Sequence, residues 1–201
     1  MLVIIDYGVG NLASISNMFR RVGVQSLISG RPEDVANADK LLLPGVGAFD
    51  DVMRKFGESG LADVIEHRVR DDGIPVLGIC VGMQMLSEGS EEGQLPGLGW
   101  IAGRCERLPD LPEARVPHMG WNRVTRAKSS ALTDELPEDA RFYFAHSYHV
   151  VCREAEDVLM TANHGKEIVA AVQKRNIFGV QFHPEKSHRF GMDLLRRFGE
   201  I

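Results

Sequence analysis

The first half of the chain alternates short aliphatic runs with longer segments in which apolar residues recur every three or four positions. The aliphatic runs lack polar alternation and predict strands at Leu2–Ile5, Val24–Ile28, Leu41–Leu43 and Val76–Ile79. Helical spacing of apolar residues predicts helices at Leu12–Val22 and Leu61–Val69. Uniformly apolar strands joined by helices are typical of a parallel sheet that is covered on both faces.

The second half of the chain carries closely spaced apolar runs separated by turn residues. These runs predict strands at Arg141–Ala145, Tyr148–Cys152, Leu159–Asn163, Ile168–Gln173 and Ile177–Gln181. The short turns between them predict antiparallel hairpins added to the parallel core. An amphipathic helix is expected over about Ser187–Phe198, and the Pro-, Gly- and acid-rich segment Glu88–Pro117 predicts irregular surface structure. We therefore expect one α/β domain over residues 1–201, with a mainly parallel central sheet flanked by helices and antiparallel strands in the C-terminal half.

Composition narrows the class of protein further. With 201 residues, 44% hydrophobic and 25% charged, the chain fits a globular domain with a large core. A net charge of −5 argues against the broad positive surface of a protein that binds nucleic acid or an anionic membrane. Three cysteines without C-x-x-C spacing, and an N-terminal apolar run too short for a signal peptide, favour a cytoplasmic protein with no metal and no cofactor.

The segment Gly78-Ile79-Cys80-Val81-Gly82 lies between a predicted strand and the helix-forming residues that follow it. This is the G-x-nucleophile-x-G pattern of a nucleophile elbow, here with cysteine in place of serine. Small neighbours leave room for the strained backbone at the junction, and the positive end of the helix favours the thiolate of Cys80. The amide of Val81 would point to where an oxyanion forms. The alternative is a buried structural cysteine that ends a core strand.

Two further segments could complete such a site. If Gly179–His183 is a strand, the side chains of His183 and Glu185 share a face, so the carboxylate can orient the imidazole. The Gly-rich turn Pro44-Gly45-Val46-Gly47 follows the third predicted strand, where a second oxyanion donor is expected. The alternatives are a surface His and Glu at a strand end, and an ordinary strand-to-helix turn.

Two other patterns point to different chemistry and are weaker. Gly8–Ala13 fits the dinucleotide fingerprint G-x-G-x-x-A, which leaves a non-enzymatic flavodoxin-like or dinucleotide-binding module as an alternative. The acidic residue expected at the end of the second strand is absent, because that strand ends in Ser29-Gly30-Arg31, and a tight turn is favoured. His146 and His149 have H-x-x-H spacing, but on a predicted strand their rings face opposite sides, which argues against a metal site.

The segments Pro44–Gly47, Gly78–Gln84 and His183–Glu185 together resemble the pattern of the class I, triad-type glutamine amidotransferases, in order and spacing. Four further segments resemble one branch of that family, the glutaminase subunits of imidazole glycerol phosphate synthases. These segments are Asp6–Leu12, Pro117–Asn122, Tyr143–Tyr148 and Gln181–Ser187. The resemblance runs nearly end to end and implies the flavodoxin-like class I amidotransferase fold.

The resemblance also implies an activity. Cys80 would attack the side-chain amide of glutamine, ammonia would leave, and water would break the thioester with His183 as base and Glu185 behind it. The amides of Val46 and Val81 would form the oxyanion hole. The residues implied to hold glutamine are Gly47, Gln84, Glu92, His146, Ser147 and Tyr148. Glu91 is an alternative to Glu92.

The same resemblance implies a partner subunit. The residues implied to face it are Asn11, Trp121, Tyr143 and Lys186. The partner would be a cyclase with a (β/α)8 barrel that uses the ammonia to form imidazole glycerol phosphate and the aminoimidazole carboxamide nucleotide in histidine biosynthesis. The alternative is a glutaminase or γ-glutamyl hydrolase that serves another synthase.

Overall fold

The computed structural model describes all 201 residues as eleven strands and six helices. The strands are β1 (Leu2–Ile5), β2 (Ser26–Ser29), β3 (Lys40–Gly45), β4 (Val76–Cys80), β5 (Gly103–Arg107), β6 (His118–Arg126), β7 (Arg141–His146), β8 (Tyr148–Cys152), β9 (Val158–His164), β10 (Lys166–Lys174) and β11 (Ile177–Val180). The helices are α1 (Leu12–Arg21), α2 (Pro32–Ala36), α3 (Phe49–Glu58), α4 (Ala62–Glu66), α5 (Val81–Met85) and α6 (His188–Glu200). A π-helical turn, His67–Asp71, continues α4, and Ala155–Asp157 and Pro184–Lys186 are short 3-10 turns. None of the helices has the length and apolar character needed to cross a bilayer.

A nine-stranded mixed sheet forms the centre of the molecule, in the order β2-β1-β3-β4-β11-β10-β9-β6-β7. The first five strands in this order are parallel, and the last four are joined by antiparallel pairing. Every residue of β1, β4 and β11 is buried, as expected for strands covered on both faces. The predicted α/β architecture, parallel first and antiparallel later, is confirmed.

The helices that cover the sheet are amphipathic. Helix α1 begins at Asn11, whose side chain accepts a hydrogen bond from the Ser14 amide, and it buries Ile15, Met18 and Phe19. Helix α6 packs against α1 and buries a set of large apolar residues. One cluster of 53 buried residues runs from Leu2 to Phe198, so both halves of the chain share a core.

The structure corrects three expectations. Segment Glu88–Pro117 is not wholly irregular, since it contains β5, which pairs antiparallel with β8. The strand predicted at Ile177–Gln181 ends at Val180, and it is not only an antiparallel hairpin strand because it also pairs in parallel with β4. Helices α2 and α3 were not predicted, and the helix predicted over Leu61–Val69 is α4 followed by the π-helical turn.

Candidate active site

Cys80 lies at the junction of β4 and α5, in the strained conformation expected of a nucleophile elbow. Its φ is 55° and its ψ is −113°, a backbone conformation that residues other than glycine rarely adopt. A Cβ at Gly78 would lie 2.5 Å from the Gly82 carbonyl oxygen, and a Cβ at Gly82 would overlap the Leu43 carbonyl. Glycine is therefore required on both sides of Cys80, because the elbow packs flush against β3.

His183 reaches Cys80 because β11 runs parallel to β4 and directly beside it. The chain leaves β11 at the same edge of the sheet where β4 ends, so the two side chains line the same cleft. On the other side of the ring, His183 Nδ1 lies 2.8 Å from Glu185 Oε1. The pair forms as predicted, but the reason given was wrong. Gly179–His183 is not a continuous strand, and Glu185 is carried by the 3-10 turn Pro184–Lys186.

These contacts stabilise the charged form of His183. Burial alone disfavours an imidazolium, but the hydrogen bonds to Cys80 and Glu185 outweigh it and raise the pKa of His183 to about 9. Cys80 and His183 are both about 4% exposed, so water competes little for these bonds. The arrangement places a cysteine sulfur beside a histidine that can accept and donate protons, the combination that cysteine nucleophiles use against a carbonyl carbon.

A cleft of about 360 Å³ opens in front of Cys80 and His183. Its lining consists of Val46, Gly47, Cys80, Val81, Gln84, Glu92, Pro117, Met119, Ala145, His146, Ser147, Tyr148, His183 and Lys186. The structure thus brings together in one place all the residues that sequence reasoning assigned to the nucleophile, the base, the oxyanion turn and the substrate. Glu185 lies behind His183 rather than in the lining. No group of three or more His, Cys, Asp or Glu side chains could hold a metal ion.

The neighbouring residues Glu91 and Glu92 make different contacts. Glu92 lines the cleft, and its Oε2 accepts a hydrogen bond from the Phe49 amide at 2.9 Å. Glu91 accepts instead from the Arg107 amide at 2.8 Å and does not reach the cleft. Glu92 is therefore the carboxylate that faces the cleft.

The turn Pro44–Gly47 packs directly against the elbow. Gly45 leaves no room for a Cβ, which would overlap the backbone of Gly82. The Tyr7 hydroxyl donates a hydrogen bond to the Pro44 carbonyl, and a Cβ at Gly10 would lie 2.9 Å from the Pro44 ring. Gly10 of the segment Gly8–Ala13 thus supports this turn by close packing, whereas Gly8 has open space around it and adopts a positive φ of 81°.

Gln181 belongs to the site, although sequence reasoning gave it no role. It is fully buried, and its Nε2 lies 3.9 Å from the Cys80 sulfur, within reach of an N–H···S hydrogen bond. Its Oε1 accepts a hydrogen bond from Gln84 Nε2 at 3.2 Å. The sequence offers one indication of this role, since the Gln181 amide directly follows an entirely apolar strand. A polar group buried at such a position requires hydrogen-bond partners. Pro117, Met119 and Ala145 were also missed as lining residues.

Of the four residues implied to face a partner, Lys186 lines this cleft, and Tyr143 and Trp121 follow it in a row of contacts. Lys186 Nζ sits 5.7 Å from the centre of the Tyr143 ring, and Trp121 meets the same ring edge-on at 6.3 Å. Asn11 caps α1 beside Gly10, which packs on Pro44. The exposed large apolar side chains here are Val46 (45%), Met119 (64%) and Trp121 (46%). Such a concentration of apolar residues at the rim of a site is typical of a protein interface.

Comparison with known proteins agrees with this geometry. Residues 3–200 match the family described as Glutamine amidotransferase class-I. The chain is 48% identical to the imidazole glycerol phosphate synthase subunit HisH of Bdellovibrio bacteriovorus over 204 residues, with both chains fully covered. It is also 48% identical to subunit HisH 2 of Pseudomonas aeruginosa over 201 residues, again with full coverage of both.

Solved structures share the fold at lower sequence identity. PurLQS from Thermotoga maritima superimposes with a TM-score of 0.72 at 19% identity, covering 98% of this chain and 94% of that one. A glutamine amidotransferase from the same organism gives a TM-score of 0.66 at 18% identity, covering 94% and 77%. With the sequence matches, the fold and the elbow all in agreement, the chain belongs to the class I glutamine amidotransferase family, in its branch of imidazole glycerol phosphate synthase subunits HisH.

Proposed function

We propose that this chain hydrolyses L-glutamine to glutamate and ammonia and delivers the ammonia to a cyclase subunit in histidine biosynthesis. The observation that carries the proposal is the line Cys80, His183, Glu185 at the floor of a cleft, with the pKa of His183 raised by its two neighbours. The names of the full-length relatives, imidazole glycerol phosphate synthase subunits, support the choice of pathway.

The chemistry follows from the order of these groups. The Cys80 thiolate attacks the side-chain carbonyl carbon of glutamine, and the amides of Val46 and Val81 stabilise the oxyanion. The His183 imidazolium gives its proton to the amide nitrogen, so ammonia leaves and a glutamyl thioester remains. Neutral His183 then takes a proton from water, which attacks the thioester. The sulfur leaves as the thiolate, glutamate departs, and the thiolate–imidazolium pair is restored.

The cleft also fits the rest of the substrate. Glu92 is the one carboxylate in the lining and is suited to the α-ammonium group of glutamine. The other residues proposed to hold the substrate are Gly47, Gln84, His146, Ser147 and Tyr148.

The proposed partner is a cyclase with a (β/α)8 barrel, which covers the mouth of the cleft. Ammonia released into water is protonated and ceases to be a nucleophile, so a closed passage to the acceptor is an advantage. The exposed rim of Met119, Val46 and Trp121 would be buried by that partner. The residues proposed to contact it are Asn11, Trp121, Tyr143 and Lys186.

The test is Cys80→Ala in the complex of this chain with the cyclase subunit. Glutamine-dependent synthesis should be lost, whereas synthesis from added ammonia should continue, because the acceptor reaction does not use the thiol. Cys152→Ala is the matched control, since Cys152 lies on β8 outside the cleft, and it should retain both activities. Glutamine-dependent activity in Cys80→Ala would contradict the mechanism. Recovery of a different synthase in co-purification would favour the alternative, a glutaminase or γ-glutamyl hydrolase serving another enzyme.

A further inference from the structure

A row of three polar side chains runs from the cleft to the far end of the antiparallel part of the sheet. His146, at the end of β7, lines the cleft, and His118 on β6 is its direct cross-strand partner. His118 Nδ1 lies 2.9 Å from His146 Nε2, and Asn122 Nδ2 lies 3.1 Å from His118 Nε2. Both rings are buried, at 4% and 6% exposed. These two histidines have no place in the reaction steps above.

The direction of every hydrogen bond in this row is fixed from both ends. Asn122 Nδ2 donates to the Asn163 carbonyl at 2.7 Å, which sets the orientation of its amide. The second amide hydrogen then points to His118 Nε2, which must accept. At the other end His146 Nδ1 lies 2.9 Å from the Tyr148 carbonyl, which can only accept, so Nδ1 carries the proton. Both ends give the same result, with each ring neutral and protonated at Nδ1.

The surroundings keep the rings neutral. His118 is stacked between Phe144, at 4.5 Å between ring centres, and His164, at 4.1 Å. Burial lowers the pKa of His118 to about 4 and that of His146 to about 3. Neither ring exchanges protons near neutral pH, and acid–base chemistry is therefore not their role. The row can instead fix the orientation of each side chain in it through the hydrogen bond to the next.

The row ends at the Tyr148 carbonyl, which also belongs to the hydrogen-bond network that reaches Cys80. The Tyr148 carbonyl accepts from His146 and also from Gln84 Nε2, at 2.9 Å. Gln84 donates in turn to Gln181, whose amide reaches the Cys80 sulfur. Tyr148 and Ser147 form one wall of the cleft. Whatever fixes the Tyr148 carbonyl therefore fixes both that wall and the amide donor at the sulfur.

We propose that Asn122 and His118 are positioning residues for glutamine binding. They act because the hydrogen bonds of the row Asn122–His118–His146 all run in one fixed direction, and not because of the size of their side chains. This inference rests on the proposed glutaminase function. The row holds the His146 ring so that Nδ1–H meets the Tyr148 carbonyl, which presents the wall of the cleft in its binding arrangement before substrate arrives.

The first test needs no mutation. Nitrogen-15 NMR of the histidine side chains of the full chain at neutral pH distinguishes a protonated from an unprotonated ring nitrogen. We expect His118 and His146 each to carry a single proton, on Nδ1. A proton on Nε2 of either ring, or on both nitrogens, would overturn the proposal. This readout does not depend on glutaminase activity, so it stays informative even if the proposed function fails.

The second test compares two substitutions at His118 in the complex with the cyclase. His118→Leu substitutes an apolar side chain of similar bulk that has no donor, and it should raise the KM for glutamine roughly 5- to 30-fold with kcat little changed. His118→Asn places an amide donor near the former Nδ1 and should bring the KM most of the way back. Equal KM values in the two variants, or a loss confined to kcat, would contradict a positioning role.

A third variant covers the case in which His118→Leu does not fold. Asn122→Leu alters only the part-exposed outer end of the row, where the side chain is less packed. The Tyr148 carbonyl still keeps the proton on Nδ1 of both rings, but His118 Nε2 loses its donor, so the NMR signals of His118 and of His146 should shift. Unchanged His146 signals would show that the row does not transmit orientation and would overturn the proposal.

Discussion

At the scale of single residues, the site depends on a backbone conformation that the chain would not adopt locally. The left-handed conformation of Cys80 costs on the order of 1–3 kcal/mol, and the packing of β3 against the elbow holds it in place. Such strain is typical of sites where it positions a reactive atom. The two flanking glycines are therefore needed for function as well as for folding.

Gly82→Ala tests this dependence. The new methyl group would overlap the Leu43 carbonyl, a rigid backbone group, so we expect a loss of about 2–4 kcal/mol in the free energy of unfolding, along with the loss of glutaminase activity. Gly57→Ala is the matched control, because Gly57 lies inside α3 with open space around it. That variant should be neutral or up to about 1 kcal/mol more stable. Urea unfolding measures both, and equal losses would argue against a steric role for Gly82.

Glu185→Gln tests the electrostatic part of the site. The substitution removes a charge 2.8 Å from His183 Nδ1 and leaves the size of the side chain unchanged. The pKa of His183 should fall below about 9, so the alkaline limb of the glutaminase pH profile should move to lower pH. We expect kcat to fall roughly 10²- to 10⁴-fold, as for other residues that orient a catalytic histidine. A profile with an unmoved alkaline limb would contradict this role of the carboxylate.

At the scale of elements, the strands that periodicity predicted well are those buried on both faces. Leu2–Ile5 was predicted with its observed bounds, because four aliphatic residues in a row that end at a charged residue, Asp6, are typical of a short buried strand. Strand β5 was missed because the surrounding Pro and Gly residues masked its short alternation, in which Cys105 is buried between Arg104 and Glu106. The local sequence pattern indicates whether a segment is a helix or a strand. Which strands it pairs with is determined by packing across the whole chain.

The same limit applies to the site. Cys80 and His183 could be found because each lies in a short motif whose spacing reports local geometry. The row that includes His118 could not, because it exists only once β6 and β7 pair in a particular register. For the same reason no sequence pattern showed that Gln181 reaches the Cys80 sulfur, a contact across 101 residues.

Asn11 gives a prediction at the element scale, since it caps α1 and is also proposed to face the partner. Asn11→Ala should lower the free energy of unfolding of the free chain by about 1 kcal/mol, because the Ser14 amide loses its acceptor. Asn11→Ser keeps a capping oxygen and should stay close to the original stability. Urea unfolding of the two variants separates the cap from the interface. If both variants are unchanged, the cap does not stabilise α1.

At the scale of the whole molecule, buried histidines make stability depend on pH in two directions. Burial lowers the pKa values of His118, His146 and His149 to between about 3 and 4, from the usual 6.5. The unfolded chain therefore binds more protons than the folded one between pH 6.5 and 4. Stability should fall as pH falls through this window.

His183 acts in the opposite sense. Its pKa is raised to about 9, so it contributes stability that is fully present below pH 6.5 and is lost as pH rises through about 9. Urea unfolding at several pH values between 4 and 10 should show a maximum near neutrality. The three buried histidines lower stability on the acid side, whereas His183 and the buried thiols of Cys105 and Cys152, whose pKa values burial raises to about 12, lower it on the alkaline side. A curve that rises steadily toward pH 4 would contradict the burial of the three histidines.

The place of β11 in the sheet has a consequence for how the protein is made. Residues leave the ribosome in order, and β11 pairs with β4 although 96 residues separate the end of one from the start of the other. Until Ile177 has emerged, β4 is an unpaired edge of the growing sheet, open to pairing with other nascent chains. Through that interval the nascent chain holds Cys80 without His183 beside it. Residues 177–201 then close the edge of the sheet and supply the base together.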